Sequence, residues 1–191
     1  MTQAPGVSEN GRLCGACDLC CRVLRVDALA KRGGRACVHQ VGNGGGCGIH
    51  AGRPRICRAY ECLWLGGGLE EADRPDRLGA VIDIVRGEGA PYLAIRQQRG
   101  GTFETSARLQ AIADRFRETL PVRVTRAEDA ENADPPYRVL LAAGVEQRIA
   151  GEWVEVWRSG ERQSRSRMPW AERRLRALTL AWQRFRQRKM S

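Results

Sequence analysis

The chain has 191 residues, 42% of them hydrophobic and 28% charged, with eight cysteines, two histidines and a net charge of +10. That length can bury a real core, so the cysteines are not needed as staples for a chain too small to fold without them. Nothing in it reaches the roughly 18 consecutive apolar residues of a membrane span, and "MTQAPGVSENGRL" lacks the apolar run of a secretory leader, so a cytoplasmic location is expected.

All eight cysteines lie near the beginning, at Cys14, Cys17, Cys20, Cys21, Cys37, Cys47, Cys57 and Cys62, and residues 12–66 read as a cysteine-cluster module. In a reducing compartment such a cluster serves metal binding rather than disulfides. The run "CGACDLCC", residues 14–21, opens with a C-x2-C pair, a spacing that lets two thiolates turn back onto one ion. Adjacent side chains leave the backbone in different directions, so Cys20 and Cys21 are expected to serve two centres. One would complete a site begun by Cys14 and Cys17, the other would join ligands from Cys37 to Cys62. The alternative makes one of the pair a small buried apolar residue.

Further along, "CVH" at 37–39 and "CGIH" at 47–50 add His39 and His50 as candidate donors beside Cys37 and Cys47. In "NGGGCG", 43–48, glycines free to take positive φ let backbone N–H groups approach a thiolate. Pro54 is expected to open a short helix running through Leu65, with Ile56, Tyr60 and Leu63 on its buried face. On such a helix Cys57 and Cys62 stand about 140° apart, so they share no ion unless the helix breaks between them. Cys62 is otherwise a packing cysteine. Eight thiolates crowd negative charge, and residues 12–62 offset it with nine basic against three acidic side chains, leaving room for two divalent ions.

A glycine-, proline- and charge-rich connection follows at 67–78, and residues 79–158 read as an α+β domain. "AVIDIV" (80–85) and "YLAIRQ" (92–97) predict a hairpin turned by "RGEGAP". Leu109, Ile112, Ala113, Phe116 and Leu120 mark one face of a helix from Thr105 to Leu120, stopped by Pro121. Short strands are expected at "VRVTR", "YRVLLAA" and "EWVEVWR". This region has no histidine, no phosphate-binding G-x-x-x-x-G-K-[ST] and no G-x-S-x-G, so no catalytic constellation is recognised.

A Ser/Arg-rich link at 159–168 leads to a basic amphipathic helix at 169–189. The basicity belongs to this tail: residues 159–191 carry ten basic and two acidic side chains, whereas 22 and 20 are spread over residues 1–158. Ala171, Leu175, Leu178, Trp182 and Phe185 form one apolar stripe opposite an arginine face. The expected arrangement docks the stripe on the α+β domain and leaves the basic face in solvent; a nucleic-acid contact or a membrane-surface helix would use the helix differently.

The pattern C-x2-C-x2-C-C, then C-x-H, G-C-x-I and R-P-x2-C-R-x-[FY]-x-C-x-W, resembles the CxxCxxCC zinc- or iron-chelating cysteine-cluster family, the YkgJ-type proteins, over about residues 12–80. The resemblance implies metal chelation, by zinc or iron, through Cys14, Cys17, Cys20, Cys21, Cys37, His39, Cys47, Cys57 and Cys62, and implies no general enzymatic activity. His50 stands where that family usually has tyrosine, and the resemblance stops short of the tail. Taken together, the expectation is an α+β protein whose cysteine module holds two zinc ions. An iron–sulfur protein is the first rival, although the C-x3-C-P ending of a bacterial ferredoxin run is missing. A nucleic-acid binder with purely structural zinc is the second.

Overall fold

A computed structural model describes residues 11–42, 45–86, 90–132 and 134–188. The part of "NGGGCG" at 43–44, the centre of the "RGEGAP" turn at 87–89, the first ten residues and the expected helix end at Lys189 lie outside the described residues. Among the described residues one seven-stranded sheet forms the frame, with the strands side by side in sequence order. They are β1 (Ala80–Val85), β2 (Tyr92–Gln97), β3 (Val122–Arg126), β4 (Tyr137–Leu140), β5 (Val145–Ala150), β6 (Trp153–Arg158) and β7 (Glu161–Arg167). Every neighbouring pair is antiparallel except β2 and β3. A parallel pair needs a crossover, and residues between them supply it as α4 (Thr102–Thr105) and α5 (Ala107–Arg117).

The helix expected from Thr105 to Leu120 is α5, shorter at both ends, and Ser106 sets its start and separates it from α4. Its backbone is extended and its Oγ accepts a hydrogen bond from the Leu109 N–H at 3.2 Å, which caps α5. Leu109, Ile112 and Ala113 are buried as their spacing predicted, and they meet Ile82, Leu93, Ile95, Val122, Val124 and Leu140 of the sheet. Trp64, Leu65 and Leu69 enter this same cluster from the end of the cysteine segment. The opposite sheet face is covered near Val81 by Leu19 and Val23, from the other end of that segment. The cysteine segment thus straddles the sheet and shares its core.

Two strands escape the sequence patterns. β5 lies between the expected strands "YRVLLAA" and "EWVEVWR", where no element was expected, and β7 replaces the expected link at 159–168. β7 buries nothing, so no apolar alternation marks it; pairing with β6 through a turn with positive φ at Ser159 (50°) and Gly160 (80°) holds it. The connection at 67–78 is also ordered. It holds α3 (Pro75–Leu78), and Asp73, a buried carboxylate. Asp73 accepts from Arg108 Nε and Nη2 at 2.7 Å each and from the Glu70 N–H at 3.0 Å.

The Arg108 hydrogen bonds hold the Asp73 carboxyl below the usual carboxylate range. A depressed folded value contributes stability above the unfolded pKa, which is lost as pH falls through the folded value. Asp73→Asn is therefore expected to cost on the order of 2 kcal/mol at neutral pH, shrinking below about pH 4. Urea midpoints of the two proteins across that range check it, and a pH-independent gap would rule out the charge as its source.

Candidate metal centre

The short helix α1 (Cys20–Val23) carries the adjacent cysteines. Consecutive helical positions are about 100° apart, yet both thiols reach one cavity. Its wall includes Cys14, Cys17, Cys20, Cys21, Cys37, Cys47 and Cys57 in a volume of about 610 Å³. All eight cysteines are free thiols. Cys20 and Cys21 are also in contact: the Cys20 thiol donates to Cys21, which pulls Cys21 down to about 7 and holds Cys20 protonated well above its ordinary range.

The helix opened by Pro54 is shorter than its sequence suggested. It is α2 (Arg55–Ala59), and the chain turns to extended backbone at Tyr60. Cys57 and Cys62 therefore lie on opposite sides of a helix break, the condition under which they could have faced one ion. They diverge instead: Cys57 is in the cavity wall, and Cys62 lies behind it against the core with Cys14, Cys17 and Cys20. The face expected to be buried is only partly so, since Ile56 is 61% exposed while Tyr60 and Leu63 are half-buried.

Thiol environments divide the cluster. Burial pushes Cys62 up to about 11, with Cys14 and Cys17 adding to the rise. Burial likewise raises Cys14 and Cys17. Cys57 is raised by burial, then by Cys21, Cys37 and Cys47. Cys62 is raised by Cys14 and Cys17, and Cys57 by Cys21, Cys37 and Cys47, while Cys21 also acts on Cys14, so the α1 dipeptide lies between the two ends of the cluster. Cys47 follows Gly46, whose φ of 73° is the positive value that glycine admits without strain. His39 is half-buried outside the cavity wall, its carbonyl accepting from the Gly48 N–H at 2.8 Å, whereas His50 lies in the wall.

Four cations and two carboxylates complete the wall: Arg25, Lys31, Arg53, Arg96, Asp18 and Asp83. Lys31 is 7% exposed, with its ammonium donating to the Leu24 carbonyl, and burial lowers its pKa while the surrounding cysteines oppose that. A buried ammonium among thiols offsets thiolate charge. Asp83 and Arg96 come from β1 and β2, paired with each other, and the Tyr60 hydroxyl donates to Asp83 at 3.1 Å. Sequence reading passed over both. Their signal was a charge inside each of two otherwise apolar strands.

Among the described residues no group of three or more His, Cys, Asp or Glu side chains is arranged to hold a metal ion. The fit to a metal is one of donor chemistry: soft sulfur donors with compensating cations around one space suit zinc, copper(I) or iron–sulfur centres and suit magnesium or calcium poorly. No helix is long and apolar enough to cross a membrane among the described residues. No family model, curated protein or solved structure matches the chain.

Proposed function

We propose that this is a metal-binding protein of the zinc- or iron-chelating cysteine-cluster type, holding two ions through its thiols. The observation that carries the reading is that seven of eight cysteines, all free, wall one cavity lined with cations. In this reading Cys14, Cys17, Cys20 and Cys62 supply one ion and Cys21, Cys37, Cys47 and Cys57 the other, with His50 as the available nitrogen donor. Each set has the four ligands of a closed tetrahedral zinc site. When bound, the ion would keep its thiolates deprotonated and fix the loop from Cys37 to Cys57. Cys21 begins that change, since its hydrogen bond from Cys20 already favours the thiolate. Lys31, Arg53 and the Cys20 thiol keep negative charge from accumulating before an ion arrives.

Elemental analysis with an absorption spectrum, on protein purified without oxygen, tests this. About two equivalents of zinc and no visible colour are expected. A brown protein with iron and sulfide would move the same ligands to an iron–sulfur role. A metal-free, folded protein with four disulfides would remove the proposal altogether. The nucleic-acid alternative rests on the charge of the tail, and two of the tail's arginines, Arg173 and Arg176, are drawn toward the protein body instead of being presented to a partner.

A further inference from the structure

The last helix, α6 (Trp170–Arg188), sits the other way round from its expected orientation. Its inward contacts are made by Arg173 and Arg176. Arg173 Nη1 pairs with Glu152 at 2.9 Å, and Arg176 Nε donates to Asp134 at 2.8 Å, its guanidinium 5.1 Å from the Tyr137 ring. Both are half-buried, as is Leu180, and the three recur at the i, i+3, i+7 spacing of one helix face. Leu175, Leu178, Trp182 and Phe185 lie on nearly the opposite side at about 100° per residue. Together with Trp170 they are between 56 and 66% exposed. The docked stripe anticipated from the sequence is thus corrected: ion pairs anchor the helix, and its apolar side faces away from the body.

We propose that this outward stripe is a docking surface for an anionic lipid bilayer, on which α6 lies in the interface plane. Three features select that partner. The stripe is continuous over the helix and presents leucine and aromatic rings, which need an apolar phase and gain little from nucleic-acid phosphates. Arg174 borders it, exposed, with its guanidinium 5.4 Å from the Trp170 ring, an arrangement suited to the headgroup level. Of the seven basic side chains at 169–191, Arg173 and Arg176 pair with the body; the other five, against Glu172 alone, complement a negative surface and oppose pairing with a second copy, which would bring like charges together. The anchoring pairs Arg173–Glu152 and Arg176–Asp134 also fix the stripe's direction, so the body would sit above the membrane with the β5–β6 turn and the start of β4 against the helix.

Co-sedimentation of the full, metal-loaded chain with vesicles tests the proposal, comparing phosphatidylcholine alone with an equal mixture of phosphatidylcholine and phosphatidylglycerol. Binding to the anionic vesicles, weakened by salt, is expected. Leu178→Glu should lower the partition coefficient by about tenfold or more, the share one buried leucine supplies, with metal content and melting temperature unchanged. Arg174→Glu should weaken binding in low salt and matter little in high salt. The proposal is overturned by any of four results: no preference for anionic vesicles, binding indifferent to Leu178→Glu, a dimer that Leu178→Glu dissolves, or binding to RNA without binding to vesicles. A clear fall in melting temperature for Leu178→Glu would also overturn it, because the stripe would then be packed within the protein.

Discussion

Cys20→Ser and Cys21→Ser are each expected to lower metal content by about one equivalent, and the double change to lose more than either alone. The two cysteines sit at consecutive positions of α1; Cys14 and Cys17 act on Cys20, whereas Cys21 acts on Cys57 and also on Cys14. If each belongs to its own ion, neither can replace the other. Their mutual hydrogen bond makes the substitutions unequal in a second respect. A serine at position 20 still has a hydroxyl to donate, so it keeps the thiolate-favouring contact at Cys21, whereas Cys20→Ala removes it. The Cys21 thiol, near 7 in the parent protein, should therefore rise more in metal-free Cys20→Ala than in metal-free Cys20→Ser, measured by alkylation rate against pH. A single serine variant that retains its full metal content and thermal stability would make that cysteine a packing residue and end the two-centre reading.

Trp64→Ala should cost about 4 kcal/mol, a fall of roughly 10 °C in melting temperature for a chain of this size. The indole is 3% exposed and packs in the main cluster with the sheet and α5. Its N–H donates to the Glu71 carbonyl at 3.2 Å, and the Arg12 guanidinium lies 5.2 Å from the ring while also donating to the Trp64 carbonyl at 2.7 Å. Trp64 is two residues from Cys62, so it couples the cysteine segment to the sheet core. The variant should lose metal and sheet structure in one transition at a lower urea concentration than the parent. Separate transitions, with the sheet unaffected, would show that the two parts fold independently.

The strands with an apolar face were legible. "AVIDIV", "YLAIRQ" and "VRVTR" occupy β1, β2 and β3 with the expected limits because alternate residues meet a helix or the cysteine segment. β7 was not, since "ERQSRSR" has no buried side and is held by backbone pairing alone. The cysteines named their own neighbourhood through spacing, but that Cys62 lies near Cys14 and Cys17 needed the end of α2 at Ala59 and the extended backbone that follows. Asp83 and Arg96 could not be tied to the cavity from sequence, because only the tertiary fold brings β1 and β2 under Tyr60. The orientation of α6 inverted because amphipathicity states which side is apolar and not which side has ion-pair partners; Glu152 and Asp134 decided it.

One glycine shows how closely the cysteine segment is seated. At Gly34, with φ of 74°, a β-carbon would fall 2.1 Å from the Ala127 carbonyl oxygen, so the loop after α1 rests directly on the backbone beyond β3. The same intimacy has a bearing on aggregation. A sheet with two open edges can recruit strands from other molecules, and natural sheets guard against it. The β7 edge is guarded by Arg162, Arg165 and Arg167 and by a bulge opposite Val156 and Trp157. The β1 edge depends on the cysteine segment, whose Leu63 N–H, next to Cys62, bonds the Ile82 carbonyl at 2.8 Å. Loss of the proposed metal would loosen that guard and bare an apolar strand edge, so metal starvation would make this protein prone to self-association through β1, and its ligands would serve as protection against misassembly as much as a means of holding ions.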